Sequence, residues 1–333
     1  MTPIYKTIFN KETRNNPIWL MRQAGRYLPE FRKIRRQNQD FIKLCLNKNL
    51  SSKITLQPLE RFDLDAAIIF SDILMLPYGL NQKVEFKKNF GPSLGPMNLV
   101  DISKTSKKSF IKKMDPIYNS IKLVSKNNTL KKKDLIGFVG APWTLLVYMI
   151  NRHSPKKKLV NEFFKDKSLI NHTLIILEKF LKLHIREQVK SGATIIQIFD
   201  SWAGLLDDKS LTDYIYKPTL NLVNYAKSLN VPVICFPRGI KNYKKFCNLV
   251  KPDVINIDYN TNPKLICKEI KIPIQGGLDP KVLLTDFNNL KKQTKKYLNI
   301  FKDHPYIFNL GHGVLPKTNP NMVDYLVKTV KDY

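Results

Sequence analysis

Eight short apolar runs recur along the chain, and a stretch with helical periodicity follows each of them. The runs are apolar throughout, which is typical of parallel strands covered on both faces. They occupy residues 17–21, 66–70, 135–139, 194–199, 231–236, 254–257, 272–274 and 306–310. Eight strands alternating with helices predict a (β/α)8 TIM barrel, and a doubly wound open sheet is the alternative.

The clearest helix is predicted over residues 171–190, where apolar side chains recur along one stripe and Gly192 is placed as a C-terminal stop. The stripe consists of Leu174, Leu177, Leu181 and Ile185. The chain shows no internal repeat, low-complexity linker or break in composition. We therefore expect residues 1–333 to form a single barrel domain.

One uncharged run, residues 135–150, resembles a membrane span but has 16 residues, against the ~20 that a spanning helix needs. Gly137, Gly140 and Pro142 interrupt it. The run predicts a buried strand leading into a helix, and no membrane contact.

A barrel of this kind collects its chemistry at the carboxyl ends of its strands. Polar residues or glycines follow all eight runs. In chain order they are Arg22 and Arg26; Ser71 and Asp72; residues 140–144; Asp200 and Ser201; Pro237, Arg238 and Gly239; Asp258; residues 276–279; and residues 311–313. Any one of these could be an ordinary cap or turn. Together they predict an active-site cleft at that end of the barrel.

Arg22 and Arg26 flank Gly25 directly after the first run. The fixed fork of donors of a guanidinium suits a carboxylate or phosphate, and the glycine allows close approach of the backbone to a ligand. The alternative is a surface helix whose arginines are solvated.

The chain is strongly basic: 56 Lys and Arg against 27 Asp and Glu give a net charge of +29. Nucleic acid, an anionic membrane and an acidic small molecule are therefore candidate partners. Most of the charge, however, is lysine scattered in short runs such as Lys107 and Lys108. Solvated faces account for such runs, and without an interleaved aromatic stripe they do not predict nucleic-acid binding.

The four cysteines form no CxxC pair, and the first 12 residues lack the apolar core of a signal peptide. Both observations predict a cytoplasmic protein. There is no HExxH motif, no paired cysteine at zinc spacing and no GxGxxG, so no metal or cofactor is predicted. Residues 311–318 half resemble a phosphate loop, but Pro316 removes a needed N–H donor. A cavity lined with arginine, aspartate, tyrosine and histidine suits a substrate rich in carboxylates.

Five motifs at these strand ends resemble the uroporphyrinogen decarboxylase family, in register over about residues 17–330. They are MRQAGRYLPE at 21–30, FSDIL at 70–74, GFVGAPWT at 137–144, FDSWAG at 199–204 and NLGHGVLP at 309–316. The resemblance implies a TIM barrel and a homodimer. It also implies cofactor-free removal of the four acetate carboxyls of uroporphyrinogen III, giving coproporphyrinogen III in haem biosynthesis.

The resemblance also implies roles for ten residues. Arg22 and Arg26 would bind substrate carboxylates, with backbone contacts from Gln23, Ala24 and Gly25; Asp72 would receive the pyrrole N–H groups; Phe41, Tyr148, Ser201 and His312 would line the pocket. Phe41 and His312 as core residues, and Ser201 as a helix N-cap, are the alternatives. The catalytic pair is predicted to be Asp72 and Arg22, and the proton donor is left open between Asp72, Arg22 and a bound water.

Two positions depart from the family pattern: Gly277 stands where asparagine is common, and Tyr78 where a small or aliphatic residue is usual. Corrinoid-linked methyltransferases share the barrel and bind zinc through a His-x-Cys pair. Here no histidine lies two residues before Cys235, which argues against that class.

Overall fold

The computed structural model describes residues 1–87, 90–155, 159–160 and 163–333. Seven parallel strands form one sheet, and a separate antiparallel hairpin precedes the second of them. The strands are β1 (Ala66–Ile68), β2 (Val84–Lys87), β3 (Gly91–Leu94), β4 (Asp134–Gly140), β5 (Ile195–Asp200), β6 (Val233–Pro237), β7 (Val254–Ile257), β8 (Ile274–Gly276) and β9 (Tyr306–Ile307). The order in the sheet is β1-β4-β5-β6-β7-β8-β9, and β2 pairs with β3.

Helices connect most of these strands. Within the described residues they are α1 (Pro3–Phe9), α2 (Pro29–Gln37), α3 (Phe41–Cys45), α4 (Lys48–Arg61), α5 (Met75–Gly79), α6 (Leu99–Lys104), α7 (Lys107–Ser125), α8 (Pro142–Asn151), α9 (Lys167–Lys190), α10 (Lys217–Lys227), α11 (Tyr243–Val250), α12 (Pro263–Glu269), α13 (Phe287–Ile300) and α14 (Pro320–Lys331). None of the helices in the described ranges is long and apolar enough to cross a membrane.

The sheet is curled, because residues from its two edges share one buried cluster. Ile68 of β1 and Ile307 of β9 belong to this cluster together with Ile136, Ile195 and Ile234 from the strands between them. A second and larger cluster packs the helices against the outside of the sheet. The predicted α/β fold with parallel strands is confirmed.

Seven of the eight predicted strands form the sheet, and the first run does not form a strand of its own. Residues 17–21 make a single isolated bridge, Ile18 to Phe308, beside β9. Phe308 N donates to Pro17 O at 2.7 Å, and Asp65 N donates to Ile18 O at 2.8 Å. The backbone amide of Ile18 donates to the side-chain carboxylate of Asp65 at 2.7 Å. In a regular strand this amide would donate to a backbone carbonyl of the neighbouring strand. The segment therefore lies between the two edge strands without forming a ladder.

Other predictions from the pattern hold. The uncharged run 135–150 is a strand followed by a helix, β4 and α8. The helix predicted over 171–190 is α9, which begins earlier because Asp166 caps Leu169 N at 2.8 Å. Gly192 follows its C-terminus with φ of +112°. The hairpin of β2 and β3 was not predicted.

Candidate active site

A cleft of about 300 Å³ opens at the carboxyl ends of the strands. The end of β1 and the segment that follows it run along the cleft: Ile68, Ile69, Phe70, Asp72, Ile73 and Leu74 all line it. Of the ten residues predicted for the site, six line this cleft. They are Arg22, Ala24, Asp72, Tyr148, Ser201 and His312.

Arg22 follows the segment 17–21 with φ of +60°, a left-handed conformation that costs a residue with a side chain about 1–2 kcal/mol. The flanking backbone holds it there. Met21 N donates to Asn309 Oδ1 at 3.1 Å, and Val314 N donates to Met21 O at 2.9 Å. Burial among protein atoms lowers the pKa of the Arg22 guanidinium, an effect that the nearby Asp72 opposes. Arginine keeps its proton even so.

Asp72 receives a hydrogen bond from Leu74 N at 2.8 Å. Burial raises the pKa of this carboxyl to about 6, although the Leu74 amide and the charge of Arg22 both act to lower it. The group therefore changes charge close to neutral pH, which suits it to stabilise a cation or to transfer a proton.

Two other cleft residues are neutral at pH 7. Burial lowers the pKa of His312 to about 3, and the charges of Arg22 and Arg238 add to the effect. Burial raises the pKa of the Tyr148 hydroxyl, and the nearby Asp72 raises it further. His312 and Tyr148 thus offer neutral hydrogen-bonding groups beside one cation and one carboxyl.

Ser201 lines the cleft beside a buried pair of residues. Thr144 donates its hydroxyl to Asp200 Oδ1 at 2.6 Å, and the same Thr144 oxygen accepts from Trp202 N at 3.2 Å. Burial raises the pKa of Asp200 to about 7, since Thr144 and Trp202 offset it only in part. The short turn Ala203–Leu205 is capped at Trp202, so the alternative interpretation of Ser201 as a helix N-cap is not supported.

Gln23 does not reach the cleft. It is fully buried, its Oε1 accepts from Leu20 N at 3.0 Å, and its Nε2 donates to Ala66 O at 3.0 Å. Its carbonyl accepts from the Tyr27 hydroxyl at 2.9 Å. The amide ties the turn that carries Arg22 to the start of β1.

The other three predicted residues also lie outside the cleft lining. A methyl group on Gly25 would come within 2.9 Å of Arg22 O. Arg26 is exposed, and its charge contributes to the lowered pKa of Arg22. Phe41 packs behind the wall: its ring centroid lies 4.5 Å from that of Phe86 and 5.7 Å from that of Phe70, two residues that do line the cleft.

Sequence reasoning missed the aromatic floor. Phe138, Phe199 and Phe236 line the cleft from three adjacent strands. The ring centroids of Phe138 and Phe199 are 5.6 Å apart, and those of Phe199 and Phe236 are 6.5 Å apart. Phenylalanines near the ends of three successive strands were the available signal. The hairpin adds Phe86 and Pro92 to the same lining.

The two departures from the family pattern lie away from the cleft lining. Gly277 has φ of +107° and would clash with Tyr297 if it carried a side chain, while the Tyr297 hydroxyl donates to Gly277 O at 2.7 Å. Tyr78 stacks beneath the Lys113 ammonium, 4.2 Å from the ring centroid. Neither change alters the residues around Arg22 and Asp72.

Over the described ranges of the chain, no group of three or more His, Cys, Asp or Glu residues is arranged to hold a metal ion. Cys235 is buried, and burial raises the pKa of its thiol well above the usual range. A buried thiol held in its neutral form is a poor metal ligand.

A family model described as uroporphyrinogen decarboxylase (URO-D) matches residues 1–333. The chain belongs to the uroporphyrinogen decarboxylase family. A uroporphyrinogen decarboxylase from Orientia tsutsugamushi is 40% identical over 98% of this chain and 97% of its own. One from Rickettsia bellii is 39% identical over 95% of both chains. The resemblance predicted from the five motifs is confirmed.

Solved structures similar to this member of the uroporphyrinogen decarboxylase family include a methyltransferase from Methanosarcina mazei. It has a TM-score of 0.79 at 14% identity and covers 100% of this chain and 99% of the other. At that identity the likeness concerns the fold alone.

Proposed function

We propose that this chain is a carboxy-lyase that removes the four acetate carboxyls of uroporphyrinogen III and yields coproporphyrinogen III. One observation carries the proposal within the family: Asp72, with a pKa of about 6, and the cation Arg22 line the same cleft above an aromatic floor. The arginine matches the carboxylates of the substrate, and the apolar floor matches its pyrrole rings.

The chemistry needs an electron sink. A pyrrole ring protonated on carbon accepts the electron pair as the bond between an acetate methylene and its carboxyl carbon breaks and CO2 leaves. The methylene then takes up a proton to become a methyl group, and the ring releases the proton that it had gained. Positive charge develops in the ring along this path, so a fixed carboxylate in a water-poor cavity stabilises it.

In this mechanism Asp72 receives the pyrrole N–H groups and stabilises the charged ring. Arg22 orients the carboxylate side chains, each charge-assisted hydrogen bond being worth about 1.5–3 kcal/mol. Tyr148, Ser201 and His312 contact the periphery of the macrocycle as neutral groups. The pKa of about 6 suits Asp72 better to proton transfer than Arg22, which retains its proton.

The roles of the remaining predicted residues follow from their positions. Gln23 and Gly25 shape the turn behind Arg22, and Ala24 contacts the substrate from the cleft wall. Arg26, exposed beside Arg22, meets carboxylates that project from the cleft. Phe41 supports Phe70 and Phe86.

We further propose one (β/α)8 domain over residues 1–333, in which the segment 17–20 serves as the eighth strand. Its backbone hydrogen bonds to Phe308 and Asp65 support this. The protein acts as a homodimer in the cytoplasm, without a cofactor and without nucleic acid or membrane partners. All four cysteines are free thiols, as in a reducing compartment. Light scattering of the purified protein tests the homodimer.

The deciding experiment is incubation with enzymatically generated uroporphyrinogen III, followed by chromatography of the products. We expect stepwise loss of four carboxyls, and a loss of rate of about 10²–10³ in Asp72→Asn, as when one preorganised charge-stabilising group is removed. Absence of any decarboxylation by the folded wild-type protein would overturn the proposed activity. Turnover by Asp72→Asn at the wild-type rate would overturn the role of Asp72 alone.

A further inference from the structure

Arg238 is a cation at the strand ends to which the family motifs assign no role. It follows β6 directly, and Phe236, two residues earlier, lines the cleft. Arg238 is partly buried in the turn that follows the strand, just beyond the lining residue Phe236 and next to the cleft rather than in its lining.

The neighbouring strand supports this placement. In the parallel register Phe199 pairs with Phe236, and Asp200 pairs with Pro237. Arg238 N continues the ladder by donating to Asp200 O at 3.0 Å. Arg238 therefore stands beside Ser201, which lines the cleft.

The backbone of this turn is fixed on several sides. Gly204 N donates to Arg238 O at 3.0 Å, and Gly239 N donates to Asp258 Oδ2 at 2.9 Å. Gly239 has φ of +79°, and a methyl group on Gly204 would come within 2.6 Å of Gly239 O. Two glycines and a buried carboxylate thus define the position from which the Arg238 side chain projects.

Among the described residues, the guanidinium of Arg238 has no counterion. Across the described ranges, no carboxylate forms an ion pair with it and no side-chain hydrogen bond engages it. Its charge nevertheless acts on both Arg22 and His312, since it contributes to the lowered pKa of each. An unpaired cation on a fixed turn, near two cleft residues from other elements, is arranged for an anion that the chain does not supply.

We propose that Arg238 binds a carboxylate of the substrate from the wall beside Ser201, as a further cationic contact on a different element from Arg22 and Arg26. This deepens the proposed function and rests on it for the identity of the substrate. Two arginines on different elements hold two different carboxylates, so together they fix the orientation of a polycarboxylate substrate. A single arginine holds one carboxylate and leaves the substrate free to rotate about it.

The test compares Arg238→Gln and Arg238→Lys with the wild type in two assays. The first is equilibrium binding of uroporphyrin III, an octacarboxylate, followed by its fluorescence, which needs no turnover. The second is the kcat and KM for uroporphyrinogen III. Arg186→Gln is the matched control, because it removes the same charge from the helix α9, where Arg186 pairs with Glu187 at 2.7 Å.

We expect Arg238→Gln to weaken uroporphyrin binding and raise KM by about 10- to 100-fold, with a smaller change in kcat. Arg238→Lys recovers part of the loss because it restores the charge without the fork of donors. The slope of log kcat/KM against log salt becomes shallower in Arg238→Gln, while Arg186→Gln behaves as the wild type.

The two proposals fail in distinguishable ways. Binding and KM of Arg238→Gln equal to those of the wild type, with an unchanged melting temperature, would overturn the role of Arg238 and leave the decarboxylase intact. If uroporphyrin binding depends on Arg238 but the wild type shows no turnover, the decarboxylase proposal is overturned and the role of Arg238 in binding stands. A folded wild type that neither binds uroporphyrin nor turns over the substrate removes both.

Discussion

The side chain of Arg22 lies directly against Gly313: a methyl group on that glycine would come within 2.3 Å of Arg22 Cδ and 2.6 Å of Cγ. Because Gly313 has no side chain, the side chain of Arg22 can lie against its backbone. Gly313 does not itself need a glycine conformation, since its φ is not among the positive values. Its effect on the cleft therefore runs through the position of Arg22.

We expect Gly313→Ala to lower kcat/KM by about 100-fold, because a displacement of about 1 Å in a positioning group costs that much. The backbone tolerates alanine there, so the melting temperature stays close to that of the wild type. A double-mutant cycle with Arg22→Ala is the check. Gly313→Ala added to Arg22→Ala should have almost no further effect, and an independent loss would show that Gly313 acts by another route.

The pH dependence of kcat/KM distinguishes whether Asp72 acts as an ionised carboxylate or as a protonated carboxyl. If the ionised carboxyl stabilises the charged ring, log kcat/KM falls with unit slope below about pH 6, the pKa of Asp72 in the free protein. Asp72→Asn loses this acid limb along with most of the activity. If log kcat/KM instead falls above pH 6, and this fall disappears in Asp72→Asn, the protonated carboxyl is the active form.

Asp200 links stability to pH in the opposite sense to most carboxyls. Burial raises its folded pKa to about 7, above the ordinary value near 3.9 of the unfolded chain. The folded state therefore holds the proton between these values, and the contribution of Asp200 to stability falls as pH rises toward 7. Denaturant unfolding of Asp200→Asn and wild type from pH 5 to 8 measures this. As pH rises, the unfolding free energy of Asp200→Asn relative to that of the wild type should increase by at most about 1.4 kcal/mol per pH unit. A difference that stays constant with pH would contradict the raised pKa of Asp200.

Asp65 anchors the chain near both of its ends. Besides Ile18 N, its buried carboxylate accepts two bonds from Lys331 Nζ, at 2.6 and 2.8 Å. Lys331→Met leaves that carboxylate without its cation, at a cost of about 1–3 kcal/mol in unfolding free energy. Lys328→Met is the control on the same helix, because its partner Asp324 is exposed and such a pair is worth ~0.2–1 kcal/mol. Equal losses in the two variants would contradict the anchoring role.

The rule that polar residues at the carboxyl ends of parallel strands meet at one end of the sheet predicted that Arg22, Asp72, Ser201 and His312 would lie close together, and all four line the cleft. The same rule placed Arg238 at a strand end, although no role was assigned to it. The positions of these five residues are predictable because they depend on the neighbouring sequence and on the direction of the strands in the sheet.

Other features of the site depend on long-range contacts that the spacing of residues does not show. The position of the Gln23 side chain could not be predicted, because its amide satisfies the backbone of Leu20 and Ala66, a long-range need that spacing does not reveal. Residues 17–21 looked like a strand, yet the carboxylate of Asp65 takes one of the hydrogen bonds that a ladder would use. Phe41 packs behind Phe70 and Phe86, which line the cleft, and the periodicity of the sequence does not indicate the hairpin that carries Phe86.

The attachment of residues 17–21 has a consequence for the order of events during synthesis. Arg22 stands on a segment held by Phe308 and, through Asp65, by Lys331 near the last residue of the chain. The turn that carries Arg22 can therefore be fixed only after Phe308 and Lys331 have been synthesised and have folded back onto it. We expect a chain truncated before Phe308 to leave Arg22 without its fixed position, even though Arg22 itself is present.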